Sequence, residues 1–270
     1  MSRRPLSMAA GIMPEATPVQ LVEAAAQAGF DMGGMWMEPG EWSSQTTRDV
    51  ARRLRETGLQ LLDIEVVWIK PGALDPDHLR IVEVGAELGA RNVLCVSSDP
   101  DREATIDKLG QISAHGGRAG IRVNLEFGLF TAVRTLAAAS AILDQISSPN
   151  LYVLVDSLHL TRSGGTPADV RSLPHARISY VQLCDAPCPG ADPSDPQQII
   201  EEAIDGRVPL GQGDLPLVEL VRSLPGGIPI AIEERSSRLR AGWPELNARA
   251  RACYESTSRF LDACDENTRE

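Results

Sequence analysis

The chain has 270 residues, a formal net charge of −11, 43% hydrophobic residues and only 4% aromatics. That suffices for one large α/β core built mostly of Ala, Leu, Val and Ile. With no dense Lys/Arg cluster, it excludes the basic face of a nucleic-acid binder.

Leu6 to Ile12 reads as a first strand. The run from Leu6 to Met13 is too short, and too interrupted by Gly and Pro, for a signal peptide or a membrane span. Thr17-Pro18 opens a helix that ends at Ala28, with Gly29 behind it. Asp31 to Met37 is the second strand, and Thr46 to Thr57 the next helix, closed by Gly58. Leu59 to Ile69 is a third strand, apolar except for Asp63 and Glu65. Asp75-Pro76 starts a helix to Leu88-Gly89, Asn92 to Ser97 is the fourth strand, and Asp101 to His115 is helical up to Gly116-Gly117.

The rhythm continues through a strand at Arg122 to Phe127, an Ala-rich helix at Thr131 to Ile146, and a strand at Leu151 to Asp156. A short helix at Pro167 to Leu173 and a strand at Ile178 to Cys184 come next. The segment from Pro187 to Gly213 is rich in Pro, Gly and Asp, with a helical turn or two at Pro196 to Ile204. Leu215 to Leu224 is helical, Ile228 to Glu233 is the last strand, and Trp243 to Cys264 closes the chain as a helix. Strands alternating with helices imply parallel pairing through right-handed crossovers. Eight such units predict a single (β/α)8 TIM barrel spanning residues 1–270.

Four of these strands finish on a polar group: Glu126, Asp156, Gln182 and Glu233. Alternate strand residues face opposite sides. If these four face the barrel axis, the residues one and three before each face the helices. Those are Leu125 and Val123, Val155 and Val153, Val181 and Ser179, and Ile232 and Ile230, all aliphatic except Ser179. The same parity selects Glu233 over its neighbour Glu234. Three carboxylates in one narrow mouth repel each other, and a divalent cation removes the conflict. Oxygen donors favour manganese or magnesium over zinc, with cobalt also compatible; manganese is the preferred expectation.

Leu-Glu-Phe at 125–127, Asp-Ser-Leu-His at 156–159, Gln-Leu-Cys-Asp at 182–185 and Ile-Glu at 232–233 resemble the xylose-isomerase-like barrel superfamily, the sugar phosphate isomerase/epimerase group. The resemblance implies metal ligation by Glu126, Asp156, Gln182 and Glu233, and substrate contact by His159. It also implies that a Gln at the third ligand position, where ketose epimerases usually carry His, leans toward dehydratases of dehydroshikimate or keto-inositols.

Such a site would take a proton from carbon next to a carbonyl, with the metal as Lewis acid and Glu126 or Glu233 as base. Return of the proton by the second glutamate is isomerisation or epimerisation, ranked first. Loss of a β-hydroxyl, with His159 as general acid, is dehydration, ranked second. An apurinic-site nuclease would need more than four histidines and a basic face, and a merely ligand-binding barrel would not need an intact ligand set. Arg162 is a candidate for binding a substrate carboxylate or phosphate, and Arg207 is a substrate-binding candidate on the long segment, which could fold over the mouth as a lid. Trp36 and Trp68 are candidate pocket walls, and Asp185 either orients a ligand or caps a turn. His78, His115 and His175 read as surface or structural. The Gly-Gly pairs at 33–34, 116–117, 164–165 and 226–227 lack nucleotide-binding spacing and read as turns.

The expected partner is therefore a small polyol or cyclic ketone, with neither nucleic acid nor membrane involved and homo-oligomerisation left open. Five cysteines, at 95, 184, 188, 253 and 264, fit no zinc spacing and read as reduced, mostly buried thiols of a cytoplasmic protein.

Overall fold

A computed structural model of the chain describes residues 4–266. Eight parallel strands close into a barrel: β1 (Leu6–Met8), β2 (Met32–Trp36), β3 (Gln60–Ile69), β4 (Asn92–Ser97), β5 (Arg122–Glu126), β6 (Leu151–Asp156), β7 (Val181–Leu183) and β8 (Ile230–Ile232). β8 pairs with β1 to complete the ring. The helices are α1 (Pro18–Ala28), α2 (Ser44–Thr57), α3 (Pro76–Glu87), α4 (Arg102–Ala119), α5 (Leu136–Leu143), α6 (Ser157–Arg162), α7 (Pro167–Ser172), α8 (Pro196–Asp205), α9 (Leu217–Ser223), α10 (Ser237–Gly242) and α11 (Leu246–Glu266). The expected (β/α)8 barrel is thus the observed fold. No described helix is long and apolar enough to cross a membrane.

Local chemistry sets the helix ends. Thr17 caps α1 reciprocally with Gln20, Pro18 occupies the first turn, and Gly29 takes the left-handed conformation that ends it. Asp75 and Asp101 cap α3 and α4 with their carboxylates.

Two apolar layers result. The larger lies between strands and helices and includes Val123, Leu125, Val153, Val155, Val181, Ile230 and Ile232. The smaller fills the barrel itself with Met32, Leu62, Leu94, Val96, Leu154, Tyr180 and Ala231. Beneath the latter, Asn124 donates to Asn92 at 3.1 Å, and Ser179 donates to both asparagines, so this buried polar floor is satisfied internally. Strand parity predicts Ser179 on the helix-facing side. It lies inward because β7 begins only at Val181 and the strand parity does not extend back to it.

Three further expectations are corrected. β1 ends at Met8, and Ala10–Ile12 turn into a short 3-10 helix. The Ala-rich helix starts at Leu136, because Thr131 spends its hydroxyl on the carbonyls of Gly128 and Val133 in a loop. Gly116 and Gly117 do not end α4, which runs to Ala119 and stops at Gly120. Gly116 is needed for packing: a Cβ there would lie 2.9 Å from Val123 Cγ2 and 3.0 Å from the Ile121 carbonyl oxygen. Gly33 and Gly34 lie within β2, where a register shift falls between them, while Gly164, Gly226 and Gly227 lie in turns as expected and Gly165 in the loop that follows Gly164.

Candidate metal centre

Each of the four strand-end groups emerges where its strand leaves the barrel. Leu154 fills the barrel interior, so Asp156, two residues on, also faces the axis. The same relation links Tyr180 to Gln182 and Ala231 to Glu233. Glu126, Gln182 and Glu233 line a cavity of about 980 Å³ at this end, and Gln182 Nε2 lies 3.5 Å from Glu233 Oε2. Ligand-capable atoms of Glu126, Asp156 and His159 all lie within 4.8 Å of one another. Glu234 points the other way: it packs beside Cys253 of α11, and burial lifts its carboxyl to about 7.

The electrostatics are those of crowded acid. Burial, then repulsion from Asp156, pushes Glu126 well above the usual carboxylate range. Burial also raises Glu233, against the opposing pull of Arg207 and Arg235. Burial acts to raise Asp156 as well, but Arg207 and His159 overrule it and the net shift is downward. Arg207 Nη1 donates to Asp156 Oδ2 at 2.6 Å, and its Nε donates to the Ala203 carbonyl at 3.0 Å. His159 sits on α6 rather than in a loop, with its backbone N–H on Asp156 Oδ1 at 3.0 Å. Burial lowers its imidazole to about 4, so it is neutral at pH 7.

Two acidic groups that the sequence reading left unused add to this charge. Glu65 lines the cavity and Asp63 is fully buried beside Tyr180. Both Asp63 oxygens and Glu65 Oε1 meet no hydrogen-bond partner of ordinary geometry. Five buried carboxylates thus face two buried or cavity-lining guanidiniums, Arg207 and Arg235. Carboxylates crowded so closely that burial and mutual repulsion hold most of them on their protons, with oxygen donors from Glu126, Asp156, Gln182 and Glu233, fit a hard divalent cation that would take the protons' place.

The remaining sequence candidates divide. Trp36 and Trp68 both line the cavity. Trp36 lies under the Arg235 guanidinium at 5.1 Å, and Trp68 donates to Ser98 Oγ at 2.8 Å on the rim. Arg207 lines the cavity from just past the end of α8. Arg162 does not line this cavity: its guanidinium is held by Glu202 at 2.7 Å and by the Pro187 carbonyl. Asp185 acts as a loop anchor, its carboxylate accepting the backbone N–H groups of Ala186, Gly211, Gly213 and Leu215 at 2.9–3.0 Å. His78, read as structural, is buried against the Trp68 carbonyl and touches the cavity wall.

Sequence reasoning missed Arg235, Glu65 and Phe130 as cavity residues. Arg235 follows Glu233 by two residues and shares its parity, a signal that was available. Glu65 interrupts an apolar strand, which is the same kind of signal. Phe130, on a loop, left none; its ring packs 4.9 Å from that of His159.

The family model "Xylose isomerase-like TIM barrel" matches residues 22–256. Among curated proteins, a 3-dehydroshikimate dehydratase of Pseudomonas putida is 26% identical over 219 residues, 76% of this chain and 33% of its own length. The chain spans about a third of that relative. Among solved structures, a xylose isomerase-like TIM barrel/4-hydroxyphenylpyruvate dioxygenase fusion protein superposes with a TM-score of 0.80 at 22% identity. That match covers 99% of this chain and 45% of the fusion. The IOLI protein, solved with a bound zinc atom, superposes with a TM-score of 0.79 at 15% identity, covering 96% of this chain and 98% of its own.

Proposed function

As the chain belongs to the xylose isomerase-like TIM barrel family, we propose that it is a divalent-metal-dependent dehydratase of a β-hydroxy cyclic ketone, of the 3-dehydroshikimate type. The observation that carries this reading is the Glu126–Asp156–His159 cluster at the barrel mouth. Glu126, Asp156, Gln182 and Glu233 would hold the cation. When bound, it would polarise the substrate carbonyl and stabilise negative charge on its oxygen.

The chain's own groups do the rest. His159 is unprotonated at pH 7, because burial lowers its pKa, and it would accept the proton from the C–H beside the carbonyl once the cation has made that proton more acidic. The imidazolium so formed sits beside the Asp156 carboxylate, and it can return the proton to the departing β-hydroxyl as water. Its role is therefore base first and acid second, rather than acid alone. Phe130 and Trp68 wall this side of the cavity.

Isomerisation, ranked first on the breadth of the family resemblance, now ranks second. It needs two carboxylates acting on opposite substrate faces, and Glu126 with Glu233 supply that pair. Gln182 at the third ligand position and the similarity to a dehydratase both favour elimination.

The test is to strip the protein with a chelator, restore it with Mn2+, and incubate it with 3-dehydroshikimate. Loss of water with growth of an aromatic ultraviolet band is expected only with metal. A product of unchanged mass would overturn the dehydratase in favour of isomerisation.

A further inference from the structure

Among the described residues, several buried or half-buried cations are already engaged. Arg207 is held by Asp156, Arg162 by Glu202, and Lys108 by Asp99. Arg235 differs. It lines the cavity, yet among the described residues no carboxylate or carbonyl accepts a hydrogen bond from its guanidinium, whose described contact is the face of Trp36. A contact with the ring face spends none of the guanidinium's N–H groups, and so leaves the fork that grips a planar carboxylate with two parallel bonds available.

The stem is fixed as well. A Cβ at Gly11 would lie 2.6 Å from Arg235 Cδ and 2.6 Å from Glu233 Oε1, so the bare backbone of Gly11 lets both side chains pass. The Arg235 carbonyl accepts the Arg207 N–H at 3.2 Å, tying the loop after β8 to the end of α8. Arg235 also helps to offset the charges of Glu65, Glu126 and Glu233. A bound dication would take up Glu126 and Glu233, and so release Arg235's charge for a ligand.

We propose that Arg235, braced on Trp36, is the receptor for a substrate carboxylate, and that the cavity therefore selects ring acids over neutral sugars. The proposal rests on the functional reading above and names its substrate class. The anion would lie on the β2–β8 side, across the cavity from His159 and Phe130.

The test uses Mn2+-loaded protein and two probes, shikimate and its uncharged methyl ester, with binding followed by calorimetry. The parent is expected to bind the acid at least about tenfold tighter than the ester. Arg235→Gln should bring the acid down to the ester's affinity while Mn2+ binding persists. Arg235→Lys should recover part of the difference, because it keeps the charge but not the fork. With 3-dehydroshikimate, the Gln variant should raise KM at least tenfold and change kcat by much less. Equal binding of acid and ester by the parent overturns the proposal, as does unchanged discrimination in Arg235→Gln or loss of Mn2+ from it. A parent that discriminates acid from ester yet forms no aromatic product upholds Arg235's role and rejects the dehydratase reading alone.

Discussion

The Arg207 guanidinium and the Asp156 carboxylate meet at 2.6 Å with side-chain exposures of 4% and 0%. One member is a proposed metal ligand and the other reaches down from the segment over the cavity. Removing one partner of a buried pair leaves the other's charge without compensation, typically costing about 3–5 kcal/mol. Asp156→Asn should therefore lose metal and also unfold more easily as the metal-free protein. Asp156→Asn combined with Arg207→Gln should regain much of that stability without regaining metal. Denaturant melts and metal analysis of both variants check this, and an Asp156→Asn protein as stable as the parent would rule it out.

Asp63 supplies a pH dependence. Burial, with a smaller contribution from Glu233, lifts its folded-state pKa from 3.8 to about 7. The folded chain therefore holds a proton that the unfolded chain releases near pH 4. Stability from this group is fully present below the unfolded value and declines as pH rises through the folded one. In metal-free protein, the parent should lose roughly 2–3 kcal/mol more than Asp63→Asn between pH 5 and pH 8. Parallel urea titrations at the two pH values measure it; identical pH slopes would dismiss Asp63 as the source.

The two glycines near the end of α4 should respond oppositely to alanine. In Gly116→Ala the new methyl meets Val123 Cγ2 and the Ile121 carbonyl, which is backbone and cannot step aside. A net loss of about 1–3 kcal/mol is expected. In Gly117→Ala the nearest atom, Asn150 Cβ, is 3.8 Å away. There the gain in helix propensity, up to about 1 kcal/mol, should prevail. Thermal melts of the pair decide; equal shifts would contradict the packing argument.

Of the five cysteines, Cys188 is exposed and the other four are buried. Native protein should therefore consume one equivalent of a thiol reagent quickly and the rest only on unfolding. Cys188→Ser should abolish the fast phase. Several fast equivalents in the parent would mean that the core opens readily.

Much of the barrel was legible because β strands and helices print different periods on a sequence. Glu126, Asp156, Gln182 and Glu233 were found by parity on four separate strands, and their strands place all four at one end. The misreadings fall where that period breaks. Ser179 precedes a strand only three residues long, so its side chain follows local backbone rather than alternation. Gly116 looked like punctuation but is a steric requirement, which no local pattern encodes. Arg162 and Asp185 lie in the motif-bearing stretches yet are spent on Glu202 and on loop N–H groups. Apart from Ala186, those partners are 26 to 40 residues distant, beyond what spacing can reveal.

The four N–H groups gathered by Asp185 make one carboxylate the mooring for both arms of the stretch above the cavity. Anyone grafting that stretch onto another scaffold to change what enters would have to carry Asp185 along. Without it, the transplant would arrive with its knot untied, and Arg207 would no longer be delivered to the cavity.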